Sequence, residues 1–163
     1  MIIMSKTQLA ESPPADIKYG DLPMLIGYAL RRAQLAVFED FHRNMAAEDM
    51  RPAQFSVLLL LKHNPGLRQT QVSTALSIKT TNFVPLFDEL ERRGLAERRP
   101  IAGDRRAKGL FLTAEGSKTI VRLERQVAIH DAKFAARLGA DGKFALIGLL
   151  HRLAEPAFDP PAT

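Results

Sequence analysis

Between Arg68 and Thr113 the chain sets out side chains suited to gripping a polyanion rather than to making or breaking a bond. Lys79, Thr80, Thr81 and Asn82 stand in a row; hydroxyl and amide groups hydrogen-bond to base edges, and an ammonium group meets phosphate. Gln69, Thr70 and Gln71 offer similar chemistry shortly before them. After them come Arg92, Arg93, Arg98, Arg99, Arg105, Arg106 and Lys108, opposed only by Glu97 and Asp104. Such a cluster seeks phosphates and a narrow minor groove. Asp104 cannot bind phosphate; a carboxylate among arginines accepts their hydrogen bonds and braces the loop that carries them. Catalysis has no comparable constellation. His42, His63, His130 and His151 fall on four separate expected helices, with no HExxH, GxSxG or phosphate-loop spacing, so neither an enzyme nor a cofactor is expected.

The elements that hold these residues follow from periodicity. A short helix spans about 68–76, with Val72, Ala75 and Leu76 inward. A tight turn at Ser77-Ile78 leads into a second helix striped by Phe83, Leu86, Phe87 and Leu90. Pro85 would cost a helix interior about 3 kcal/mol, which either places the start of the regular helix late, near Thr81 or Asn82, or kinks the helix locally. Arg92-Arg93-Gly94 closes it with cations and a glycine. Leu95 to Arg99 and Lys108 to Leu112 then form two strands around an arginine-rich loop. The expected fold class is mainly α with a small two-stranded β wing: a winged helix-turn-helix core over about 52–113.

Around that core, Leu22, Leu25, Ile26, Ala29, Leu30, Ala33, Val37 and Phe41 recur at helical steps and predict a long helix over about 23–47. Arg51-Pro52 opens a second, apolar on most sides, that belongs in the core and stops at Pro65-Gly66. Thr113 caps a long helix that Gly139 closes, and a last helix runs from near Asp141 to Pro156. The terminal helices, about 22–47 and 114–156, carry apolar stripes that the compact core does not need, which predicts a partner, most simply a second copy. One domain over 21–156 is expected, between a mobile N-terminal tail at 1–20 and a C-terminal tail at 157–163. A net charge of +5 and a pI of about 9.8 suit a nucleic acid or an anionic membrane surface without choosing between them. No apolar run reaches the roughly twenty residues of a membrane helix, so a cytoplasmic protein is expected. The absence of cysteine excludes thiol-based sensing, and no metal site is expected from the histidines.

The turn Leu76-Ser77-Ile78, the phrase LFDELERRGLAERR at 86–99 and GDRRAKGLFLTAEG at 103–116 resemble the MarR family of bacterial transcriptional regulators. The most specific signal is Asp104-x-Arg106 followed by Leu112-Thr113-Ala114-Glu115-Gly116, and the likeness runs from about Leu22 to Pro156. It implies a homodimer joined by its terminal helices, a recognition helix in each major groove of a double-stranded DNA operator, and release by a small molecule. By position, Lys79, Thr80, Thr81 and Asn82 would face bases and backbone, and Gln69, Thr70 and Gln71 phosphates. Arg105 or Arg106 would enter the minor groove beside Arg98, Arg99 and Lys108, with Asp104 bracing the wing. Family members respond to phenolic or aromatic carboxylates or their CoA thioesters. The predicted helix faces allow a pocket lined by Tyr28, Phe38, Phe55 and Leu59, with Arg32, His42 or His63 meeting an anionic group. Two other classes use similar parts: an architectural protein that coats DNA without choosing sequence, and a winged helix that docks on membranes or proteins.

Overall fold

The computed structural model describes residues 16–101 and 104–154, with the backbone alone described at 104–107. The expectations for the first fifteen residues, for the tip of the wing and for the C-terminal tail lie outside the described residues. Two compact units are present, one through Gln126 and one from Val127.

In the first unit a single 3-10 turn, Leu22–Met24, precedes helix α1, Ile26–Asn44. The long helix expected here is interrupted at Leu25, whose ψ of 129° is extended. Pro23 fits the tight first turn, which closes through the Leu25 amide on the Leu22 carbonyl. A second 3-10 turn, Ala46–Glu48, ends at Asp49 in the left-handed region (φ 43°), a conformation aspartate tolerates better than most residues. Helix α2, Pro52–His63, starts with proline in its first turn, and the Gln54 side chain accepts the Arg51 amide at 3.0 Å. It is central, as expected: Val57, Leu58 and Leu61 are fully enclosed, beside Phe41 and Met45 of the α1 end and Met50.

Helix α3, Gln69–Ala75, and helix α4, Thr80–Arg92, flank a turn in which Ser77 takes φ 50°. The turn is held by the Ile78 amide on the Ser73 carbonyl at 2.8 Å. Helix α4 begins earlier than expected, leaving Pro85 inside it. Phe83, Phe87 and Leu90, spaced four and three apart, point into the core, while Val84 and Pro85 are exposed. The proline ring therefore meets solvent, and what the helix loses is the one amide that would have reached the Thr81 carbonyl.

The wing is larger than two strands. Strands β2, Ala96–Ile101, and β3, Asp104–Leu112, pair antiparallel, and a two-residue strand β1, Leu67–Arg68, joins the other side of β3 to give the order β1-β3-β2. A strand so short carries no alternation from which it could be read. Its closeness depends on glycine: a Cβ on Gly109 would sit 2.8 Å from the Gly66 carbonyl oxygen. Pro100 lies on the outer strand, where its missing amide costs no ladder bond, and the register slips just after it.

Helix α5, Ala114–Leu138, is capped by Thr113, whose Oγ1 accepts the Gly116 amide at 2.9 Å. Ile120 and Leu123 of its first half complete the core of the first unit. In the second unit Gly139 (φ 79°) ends α5 and helix α6, Gly142–Ala154, follows. The rings of His130 and Phe134 meet edge-on, and Lys143 pairs with Asp131. Helix α6 buries no residue: Phe144 is 74% exposed and Leu149 58%. The outer face of α1 is similar, with Ile26, Leu30, Leu35 and Phe38 all exposed, as is Leu25 just before it. Among the described residues no helix is long and apolar enough to cross a membrane.

Candidate nucleic-acid interface

Helices α3 and α4 present their N-terminal turns without any acidic residue, so the positive ends of both are uncompensated by side chains. Lys79 is the N-cap of α4, and its carbonyl accepts the amides of Asn82 and Phe83. Lys79, Thr80, Thr81 and Asn82 are all exposed, together with Thr70 and Gln71 on α3; Gln69 is half-buried. Gln71 has a second task that its sequence position did not reveal, since its Oε1 accepts the Arg68 amide at 2.8 Å and closes the first turn of α3. The outward face of α4 continues past the four residues expected to read DNA: Thr81, Val84, Pro85 and Asp88 recur at helical spacing and are exposed.

The basic cluster is less uniform than its count implies. Arg92 forks onto Glu89 at 2.6 and 2.8 Å. Arg93 donates to the carbonyls of Glu48 (2.6 Å) and Asp49 (2.9 Å), tying the end of α4 to the turn before α2. Glu48 is gripped again by Arg122 of α5, at 3.2 Å. Arg98 departs furthest from the expectation. Its guanidinium lies 4.6 Å over the Phe87 ring, bonds Asp88 at 2.8 Å and pairs with Glu91, and only 19% of its side chain is exposed. Engaged on three sides, it ties strand β2 of the wing to helix α4. Neighbouring Arg99 is 53% exposed, paired with Glu97 and set over Phe111, and Lys108 is exposed beside it. The side chains of Asp104, Arg105 and Arg106 lie outside the described residues.

These pairs leave a consistent electrostatic record. The Arg92 guanidinium holds the Glu89 carboxyl below its ordinary value, and the Arg99 guanidinium does the same to Glu97. The acidic second half of α4, with Asp88, Glu89 and Glu91, is thereby matched by Arg92 and Arg98, and the approach of a polyanion is not opposed by bare carboxylates.

One further attachment fixes the interface to the long helix. Thr113 Oγ1 donates to the Gly94 carbonyl at 2.6 Å, and the Thr113 amide donates to the Leu95 carbonyl at 3.2 Å. A Cβ on Gly116 would lie 1.8 Å from that same Leu95 oxygen. Gly116 is therefore required by a backbone approach that no local pattern announces.

The seven residues expected to line an effector pocket differ in exposure. Arg32, Phe38, His42 and His63 are exposed, and Tyr28, Phe55 and Leu59 are half-buried. His42 Nδ1 lies 2.6 Å from the Phe38 carbonyl. Phe55 packs at 6.1 Å against Phe41, a core residue that the sequence reading left out of the pocket. An open hollow of about 430 Å³ on α1 is lined by Gly27, Leu30, Arg31 and Gln34.

A short helix, a strained turn, a polar-ended helix and an arginine-bearing antiparallel wing define a winged helix-turn-helix protein of the DNA-binding class. Residues 48–107 match the model of the MarR family. A putative transcriptional regulatory protein for the hcr operon of Thauera aromatica is 33% identical over 154 residues, 94% of this chain and 93% of that protein. Among solved structures, the transcriptional repressor CouR bound to a 23-mer DNA duplex superposes with a TM-score of 0.82 at 46% identity, covering 86% of this chain and all of that one. CouR bound to p-coumaroyl-CoA gives 0.79 at 44% identity, covering 86% and 99%. The chain belongs to the MarR family and is a transcriptional regulator.

Proposed function

We propose that this regulator is a repressor that binds a pseudo-palindromic operator as a homodimer and leaves it when a small aromatic carboxylate, or more specifically its CoA thioester, binds. The observation that carries the reading is the likeness to CouR, at 44–46% identity, in one structure with a DNA duplex and in another with p-coumaroyl-CoA. The exposed polar start of α4 and the basic wing suit the DNA half of the reading. The apolar outer faces of α1 and α6 suit a dimer, because stripes of this extent are unfavourable in water. A dimer would set two recognition helices one helical turn of DNA apart. An effector that favours a different spacing would empty the operator with a differential of a few kcal/mol.

The test is a gel-shift titration of the full chain on the DNA upstream of its own gene and on a scrambled duplex, at fixed salt, with free aromatic acids and their CoA thioesters. Selective binding abolished by a thioester but not by its free acid is the expected result. Equal binding to both duplexes would replace this reading with an architectural one. Selective binding that no compound disturbs would remove the effector from it.

A further inference from the structure

The outward ridge of α4 is not wholly polar. Phe83, Phe87 and Leu90 take the inward face, so residues at the opposite positions, Thr81, Val84, Pro85 and Asp88, form the most protruding line of the helix. Two of these four are apolar. Val84 is 38% exposed although a core of phenylalanines and leucines lies beside it on the same helix, and Pro85 is exposed at a point where it costs the helix a hydrogen bond. Solubility and helix stability would both favour a polar helix former at either position. The next residue along the ridge, Asp88, is held by Arg98 at 2.8 Å, which limits its freedom to accept from a base amino group. The ridge thus offers a projecting apolar step flanked by Thr81 on one side and a neutralised carboxylate on the other.

The floor of a major groove carries one apolar group, the C5 methyl of thymine. We infer that Val84 and Pro85 are specificity-determining residues that select thymine by burying its methyl group, in addition to any hydrogen bonds made by Thr81 and Asn82. The inference rests on the reading of α4 as the recognition helix. It assigns sequence preference to positions outside the polar run from Lys79 to Asn82.

A direct test changes only the methyl group. A duplex selected from a random pool by the full-length protein is remade with each thymine replaced in turn by deoxyuridine, and dissociation constants are measured at one salt concentration. The replacement should weaken binding by about fourfold at one or two positions in each half-site, the amount expected for one methyl carbon withdrawn from water. In Val84→Ala or Pro85→Ala the penalty at the matching position should fall below about twofold, whereas Asn82→Ala should leave it intact. Thermal melts of the three variants establish that they are folded. The inference is overturned if no thymine is sensitive, or if the sensitive positions keep their full penalty in both Val84→Ala and Pro85→Ala. Failure to select or bind any duplex refutes the DNA-binding reading itself, and this inference with it.

Discussion

Replacing Gly116 by alanine should force the long helix α5 away from the start of the wing at a single atom. The added Cβ would lie 1.8 Å from the Leu95 carbonyl oxygen, 2.8 Å from its carbon and 3.3 Å from its Cα. Carbon and oxygen settle no closer than about 3.3 Å, so the first turn of α5 and the start of the wing must separate by well over an ångström. Both sides are backbone and neither can swing away. The separation breaks two hydrogen bonds, Thr113 N to Leu95 O at 3.2 Å and Thr113 Oγ1 to Gly94 O at 2.6 Å. Each is worth about 1 kcal/mol, and overpacking adds about 1–3 kcal/mol. The better helix propensity of alanine returns about 1 kcal/mol. The net loss is about 2–4 kcal/mol, a large share of a domain stability of about 5–15 kcal/mol. With a urea slope of about 2 kcal/mol/M, the unfolding midpoint should fall by about 1–2 M, measured by circular dichroism at one protein concentration because a dimer's midpoint depends on it. A midpoint within about 0.3 M of the parent would refute the argument, because it would mean that the two backbones can part freely.

Three other outcomes follow from the same geometry. Ser77→Gly relieves a left-handed backbone at φ 50° and should raise stability by about 1 kcal/mol without touching the interface; a lower melting temperature would contradict the strain. Arg98→Ala removes the brace on Phe87, Asp88 and Glu91 and should weaken binding to all duplexes while leaving the salt slope nearly unchanged, in contrast to a phosphate contact, whose loss lowers that slope by about one. Glu89 and Glu97 have folded values held below the ordinary 4.5 by Arg92 and Arg99, so the stability they contribute is present above that value and lost as pH falls through the depressed one. The difference in melting temperature between the parent and a Glu89→Gln, Glu97→Gln variant should therefore be constant from pH 6 to 8 and shrink below about pH 4.5. It will be small, since both groups are solvated, and a gap that grew with acid would reverse the assignment.

Much of this protein is determined by its sequence alone. Pro52, Gly66, Gly94 and Gly139 punctuate the helices where the structure has them, because proline and glycine act through local backbone sterics that need no tertiary partner. The stripe of Phe83, Phe87 and Leu90 orients α4 for the same reason, since a helical period identifies its buried face without naming what covers it. The β2–β3 hairpin of the wing and the Thr113 cap on the Gly116 amide are equally local.

Partnership across the fold was decided only in three dimensions. Arg93 and Arg98 are indistinguishable in sequence from the arginines around them. One reaches carbonyls of Glu48 and Asp49 more than forty residues earlier, and the other turns inward onto Phe87. Strand β1 exists because Gly109 lets Gly66 approach, and Gly116 is needed because Leu95 lies against it. A sequence fixes how many charges and which periodic faces a chain carries, whereas which charges remain available to a ligand depends on the carboxylates, carbonyls and rings that folding brings beside them.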